Sequence, residues 1–137
     1  MNPMVLDASL WVARLVPQDV FHEIVKSWMA EQLANGVTFL APSLLLAEVA
    51  GAISRRTDSS ELGKQALESL NRLSGLRIVE MDAHLVEQAA LLAAELGLCG
   101  ADSTYVAVAT QLDLPLVTLD INQGRRAAQA ISILKIQ

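Results

Sequence analysis

Four carboxylates stand out in this 137-residue chain because of what surrounds them. Asp7 ends MVLD and Asp120 ends LVTLD, each a short apolar run that stops on an acid. Glu48 is the only charge in SLLLAEVAGAIS (43–54), and Asp102 opens DSTYVAVATQL, which carries no other charge. No lysine or arginine lies within four positions of any of them. An ionised carboxylate in an apolar segment needs a partner, a metal or water. Acids that cluster repel one another. A hard divalent cation resolves that repulsion, and Mg²⁺ and Mn²⁺ favour oxygen ligands. Such ions activate water and stabilise charge on phosphate.

Each acid also has a plainer structural reading. Asp7 can cap the helix that follows it. Asp102 suits a helix N-terminus. Asp120 can be a turn residue ahead of Asn122 and Gly124. Glu48 can pair with Arg55 or Arg56, although both lie far along the helix. Ser9 and Thr118 each stand two residues from an aspartate, where a hydroxyl can orient a carboxylate or water. Helix capping and strand propensity explain those two equally well. The other acids mostly fall on amphipathic faces, as Glu87 and Glu95 do.

The acids need elements to position them. The apolar runs predict strands at 3–7, 37–41, 76–81, within 114–120, and at 131–136. Helical patterns fill 8–15, 18–35, 43–56, 60–74, 83–96 and 102–113, with Pro42 expected in the first turn of the third helix. Ser59, Ser60 and Asp82 are expected caps, and Gly36, Gly75 and Gly97 expected stops. Strands that alternate with helices favour a parallel sheet covered on both faces, and apolar strands suit that burial. In such sheets the ligand crevice lies beyond the carboxyl ends of the strands. Asp7 and Asp120 would both sit there.

Composition narrows the function. A net charge of −5 and five scattered aromatics argue against a basic nucleic-acid coat or a stacking platform. They leave a nuclease open, because bound metal reverses the sign of a local site. No long uncharged apolar run exists, so no membrane span is expected, and MNPMVLDAS does not read as a signal peptide. The lone Cys99 cannot form an internal disulfide, which suggests a reducing, cytoplasmic setting. His22 and His84 fall in amphipathic helices and read as structural or surface residues. A dinucleotide enzyme would carry G-x-G-x-x-G after the first strand, and a dehalogenase-type phosphatase D-x-D; here the residues are Asp7-Ala8-Ser9. A receiver domain needs a lysine near the late strand, and none follows LVTLD until Lys135.

With these pieces in order, the sequence resembles the PIN-domain family, especially ribonuclease toxins of bacterial and archaeal toxin–antitoxin pairs. The resemblance rests on D-x-S (Asp7, Ser9), Glu48 in PSLLLAEVAGAISRR, Asp102 in GADSTYVAVA, and Thr118 and Asp120 in LVTLD. It covers essentially the whole chain as one domain, 1–137. It implies an α/β fold: a three-layer α/β/α sandwich with a five-stranded parallel sheet in the order 3-2-1-4-5. It implies a Mg²⁺- or Mn²⁺-dependent endoribonuclease in which Asp7, Glu48, Asp102 and Asp120 are the catalytic, metal-binding acids. Ser9, Thr118 and Asn122 would support them from behind; Asn122 stands where some relatives carry another acid, and an amide is the weaker ligand. The implied partners are RNA, a cognate antitoxin and a second copy of the chain. The segment holding Trp11, Phe21 and Trp28 is one expected antitoxin surface, with core packing as the simpler explanation. Arg55, Arg56, Arg125 and Arg126 are open to phosphate steering or plain solvation. The alternative is a catalytically inactive PIN-like module that binds RNA or protein.

Overall fold

The computed structural model describes residues 2–136. Its elements are β1 (Met4–Leu6), α1 (Ala8–Leu15), α2 (His22–Ala34), β2 (Phe39–Pro42), α3 (Leu44–Thr57), α4 (Ser60–Arg72), β3 (Leu76–Val79), α5 (Ala83–Leu96), α6 (Gly100–Leu112), β4 (Leu116–Val117), α7 (Ile121–Ala127) and β5 (Ile133–Leu134), all of them expected except α7, a short helix in place of a turn. The strands form one parallel sheet in the order β3-β2-β1-β4-β5, with helices on its faces. This is the three-layer α/β/α arrangement.

β1 sits at the centre of the sheet between β2 and β4, and all three of its residues are buried. Its register is Val5↔Leu40 on one side and Leu6↔Val117 on the other. One step beyond Leu6↔Val117 stand Asp7 and Thr118, so the pairing itself sets these two side by side.

The core closes around Phe39. Trp11 meets its ring edge-on at 5.9 Å and 83°, and Trp28 stacks at 6.0 Å and 20°. Aromatic pairs of this kind add about 0.5–1.5 kcal/mol each beyond burial. Trp11 is fully buried and Trp28 partly so, and both pack on the core. α3 and α4 pack closely where Gly63 faces Ala50; a Cβ at Gly63 would come within 2.7 Å of the Ala50 carbonyl oxygen. α6 is buried from Ser103 to Ala109. Among the described residues, no single helix is long and apolar enough to cross a membrane.

Several expectations need correction. Pro42 ends β2 rather than opening α3, a position where its missing N–H does least harm to the ladder. α2 starts at His22, not at residue 18, because residues 17–21 form turns held by Asp19. The strands are not apolar throughout. β3 and β5 are sheet edges; Arg77 and Ile78 are exposed on β3, and the pairing of β5 is confined to Ile133–Leu134. The caps hold at Ser59 and Asp82, which accept from Leu62 N and Leu85 N. Gly97 ends α5 with a positive φ of 68°, a conformation that favours glycine.

Candidate active site

Asp7 follows β1 and Asp120 follows β4, so both acids reach the carboxyl edge of neighbouring strands. Glu48 projects from the second turn of α3, and Asp102 from the first turn of α6. The structural readings of three acids hold as well. Asp7 caps α1 by accepting from Ser9 N at 3.0 Å, Asp120 caps α7 by accepting from Gln123 N at 3.1 Å, and Asp102 stands in a helix's first turn. Capping and convergence do not compete, since helix N-termini are what bring these carboxylates to one place.

Asp7 is buried, and both of its oxygens are held. The Ser9 hydroxyl donates to Oδ1, and the Thr118 hydroxyl donates to Oδ2 at 2.5 Å. The same two hydroxyls accept from the turn after β4: Leu119 N donates to Ser9 Oγ at 3.2 Å, and Asp120 N to Thr118 Oγ1 at 3.1 Å. Two parallel relays thus run from the β4–α7 backbone through a hydroxyl to one carboxylate. Thr118 Oγ1 also lies 3.1 Å from Gln123 Oε1. Thr118 has one hydroxyl proton, already given to Asp7. The Gln123 amide is therefore better turned so that its nitrogen, otherwise buried and unpartnered, donates to Thr118.

Glu48 makes no ion pair with Arg55 or Arg56. Arg56 instead binds Asp19 at 2.9 Å. The partner of Glu48 is Tyr105, whose hydroxyl donates to Oε1 at 2.5 Å. Tyr105 and Gln123 are the two site residues that sequence reasoning misses. Tyr105 had a signal: it stands three residues after Asp102, on the same face of α6. Gln123 had none beyond its distance from Asp120.

The electrostatics record the convergence. Burial pushes the Asp7 carboxyl up to about 6; the hydrogen bonds from Ser9 and Thr118 oppose this, and the charge of Asp102 adds to it. Burial likewise raises Glu48, against the Tyr105 hydrogen bond and with the charge of Asp102. Burial raises Asp102 too, against a hydrogen bond from the Cys99 thiol and with the charge of Asp120. Asp102 is thus the hub, close enough to all three other acids to exchange repulsion with them. Burial and the hydrogen bond to Glu48 raise the Tyr105 phenol, which stays a donor.

The donor set suits a hard cation: four carboxylates, and no histidine among them. Among the described residues, no three His, Cys, Asp or Glu side chains stand close enough together to hold a metal ion between them. Mg²⁺ keeps several waters and takes one or two carboxylates directly, so a cation here would reach some of the four acids through water. Asn122 is exposed on α7 and makes no side-chain hydrogen bond to the acids. His22 is buried with Nδ1 2.8 Å from Ala13 O, and His84 is exposed; neither joins the cluster. Arg126 reaches the Leu96 carbonyl at 3.3 Å, a tie to the end of α5.

The sheet order and the acids beside it define a class, and the sequence agrees: the model of the PIN domain matches residues 4–129, and the chain belongs to the PIN-domain family. Among solved structures, it is similar to VapC20 of Mycobacterium tuberculosis, described as a sarcin-ricin loop cleaving toxin. The identity is 19%, the TM-score 0.78, and the match covers 96% of this chain and 98% of that one. VapBC2 of Rickettsia felis, bound to a DNA fragment from its promoter, matches at 20% identity and TM-score 0.74, over 98% of this chain and 99% of that one. DNA-bound VapBC of Salmonella typhimurium matches at 16% and 0.74, over 98% of each chain. At these identities the likeness is one of fold. No curated protein matches the sequence.

Proposed function

We propose that the chain is a Mg²⁺- or Mn²⁺-dependent endoribonuclease and the toxin of a toxin–antitoxin pair. The observation that carries this reading is the placing of Asp7 and Asp120 at the carboxyl ends of the neighbouring strands β1 and β4, with Glu48 and Asp102 in the early turns of α3 and α6 and both oxygens of Asp7 braced by Ser9 and Thr118. An uncompensated cluster of this kind costs stability. A cation that neutralises it gives the cost a purpose. The toxin role is supported by likeness to VapC20 and to the VapBC complexes, and those complexes also support an antitoxin partner. A homodimer and a cytoplasmic setting complete the reading.

Asp7, Glu48, Asp102 and Asp120 would hold the cation, directly or through water. When bound, it supplies Lewis-acid stabilisation of phosphate charge and lowers the pKa of water at the site. The chain's own groups do the rest. Ser9 and Thr118 fix both oxygens of Asp7, so that acid cannot turn away. Tyr105 fixes one oxygen of Glu48 and leaves the other directed by that bond. With no histidine in the cluster, these carboxylates are the only groups there that can accept a proton from water as phosphodiester hydrolysis proceeds.

RNA cleavage should appear with Mg²⁺ or Mn²⁺ and vanish in chelator. Undiminished cleavage after confirmed metal removal would overturn the metal chemistry. RNA binding without cleavage under any divalent ion would favour the inactive module instead.

A further inference from the structure

A cleft of about 420 Å³ opens beside the acid cluster, walled by Ser9 and Asp120 on the cluster side and by Asp19, Phe21, Arg56 and Leu119 beyond. Phe21 is 44% exposed, whereas Trp11 and Trp28 pack on Phe39. An aromatic ring left in water at the lip of an acid site offers a face to any base, because every base has a π-face. Arg56 also faces this cleft, and Asp19 holds it there. One Asp19 oxygen accepts from Arg56 Nη1 at 2.9 Å, and the other accepts from Phe21 N at 2.9 Å. A single carboxylate thus fixes both the guanidinium and the backbone that carries the ring. That bond uses one guanidinium N–H; four more remain for a phosphate.

We infer that this cleft is a nucleotide subsite of the nuclease, in which Phe21 stacks the base and Arg56 contacts the phosphate next to the one being cleaved. The inference rests on the nuclease reading above. Net charge does not favour a polyanion here, since Arg56 is the one cation in a wall that also carries Asp19 and Asp120; the exposed ring and the unused guanidinium N–H groups must supply the attraction. A second cavity of about 530 Å³ lies on the other side of Asp120, with Arg125 and Lys135 in its wall. It has cations but no aromatic ring, so stacking falls to the Phe21 side alone.

The test is binding of a short, fluorescein-labelled single-stranded RNA to the full chain in chelator, read by anisotropy across a salt series, with KM and kcat measured in Mg²⁺. Phe21→Ala should weaken binding roughly tenfold and raise KM more than it lowers kcat, while Phe21→Tyr stays near wild type. Arg56→Ala should weaken binding and reduce the slope of log K against log salt by roughly 0.7. Arg72→Ala removes the same charge where α4 leads into the amino end of β3, away from the cleft, and should leave the slope unchanged. Thermal melting confirms that the variants fold. Wild-type RNA binding and KM in both Phe21→Ala and Arg56→Ala would overturn the subsite and leave the nuclease reading standing. A wild-type chain that neither binds nor cleaves RNA would overturn both.

Discussion

The Tyr105 hydroxyl donates to Glu48 Oε1 at 2.5 Å, tying α6 to α3 across 57 positions of sequence. Without it, Glu48 would be a half-buried carboxylate with no side-chain hydrogen bond to another of the described residues. Tyr105→Phe keeps the buried ring and deletes only the donor. Cleavage should fall by roughly 10- to 100-fold, the usual cost of losing a group that orients a metal ligand. Melting should shift little by comparison, because Glu48 retains access to water. Unchanged cleavage by a folded Tyr105→Phe would show that the bond serves packing and not the site.

Ser9 and Thr118 brace opposite oxygens of Asp7, so their effects should not add. Thr118→Val keeps the shape and removes the bond to Asp7 as well as the acceptor for Asp120 N. It should cost about 1–3 kcal/mol in stability, the range for leaving a buried polar group unsatisfied. Ser9→Ala should cost a similar amount, since Ser9 is half-buried as Thr118 is and makes the matching pair of bonds. In a double-mutant cycle by urea unfolding, the two should show an interaction energy of about 0.5 kcal/mol or more. Strict additivity would mean that the two relays do not meet at Asp7.

Asp7 gives a pH signature in the absence of divalent ions. Its carboxyl is raised to about 6 in the folded chain from an ordinary 3.8. The folded state therefore holds the proton more tightly than the unfolded state does. The stability this confers is fully present below about pH 4 and is lost as pH rises through 6, up to about 3 kcal/mol in all. Asp7→Asn lacks this titration and can still cap α1. Relative to wild type it should gain stability between pH 4.5 and 7 in urea unfolding with chelator present. Parallel pH profiles for the two proteins would remove the burial cost assigned to Asp7.

Much of this was legible in the residues, for physical reasons. Asp7 and Asp120 each end a buried run, and a parallel sheet leaves strand ends beside its crevice. Asp82 and Gly97 mark α5 through local rules that tertiary contacts do not disturb. Edge strands were harder to bound. Pairing on one side only lets β3 carry Arg77 and keeps β5 short, and no periodicity reports which strand lies at an edge. Pro42 misleads because proline suits both a helix's first turn and a strand's last position. Tyr105 hides because a tyrosine in an apolar helix looks like core, and it is core except at its oxygen. Phe21 hides among three aromatics, of which two turn inward and one outward.

The proposed cation site of Asp7, Glu48, Asp102 and Asp120 depends on Asp102, which opens α6 beside the other acids. The direct measurement is the initial rate of RNA cleavage by wild type and Asp102→Asn in Mg²⁺ and Mn²⁺, alongside melting with and without the ions. Asp102→Asn keeps the side chain's size and removes the charge that the other three acids share. The rate should fall on the order of 100-fold or more. The metal-free melting temperature should equal or exceed that of wild type, and it should rise less on adding metal. A folded Asp102→Asn that cleaves at the wild-type rate, with the wild-type response to metal, would contradict the proposed site.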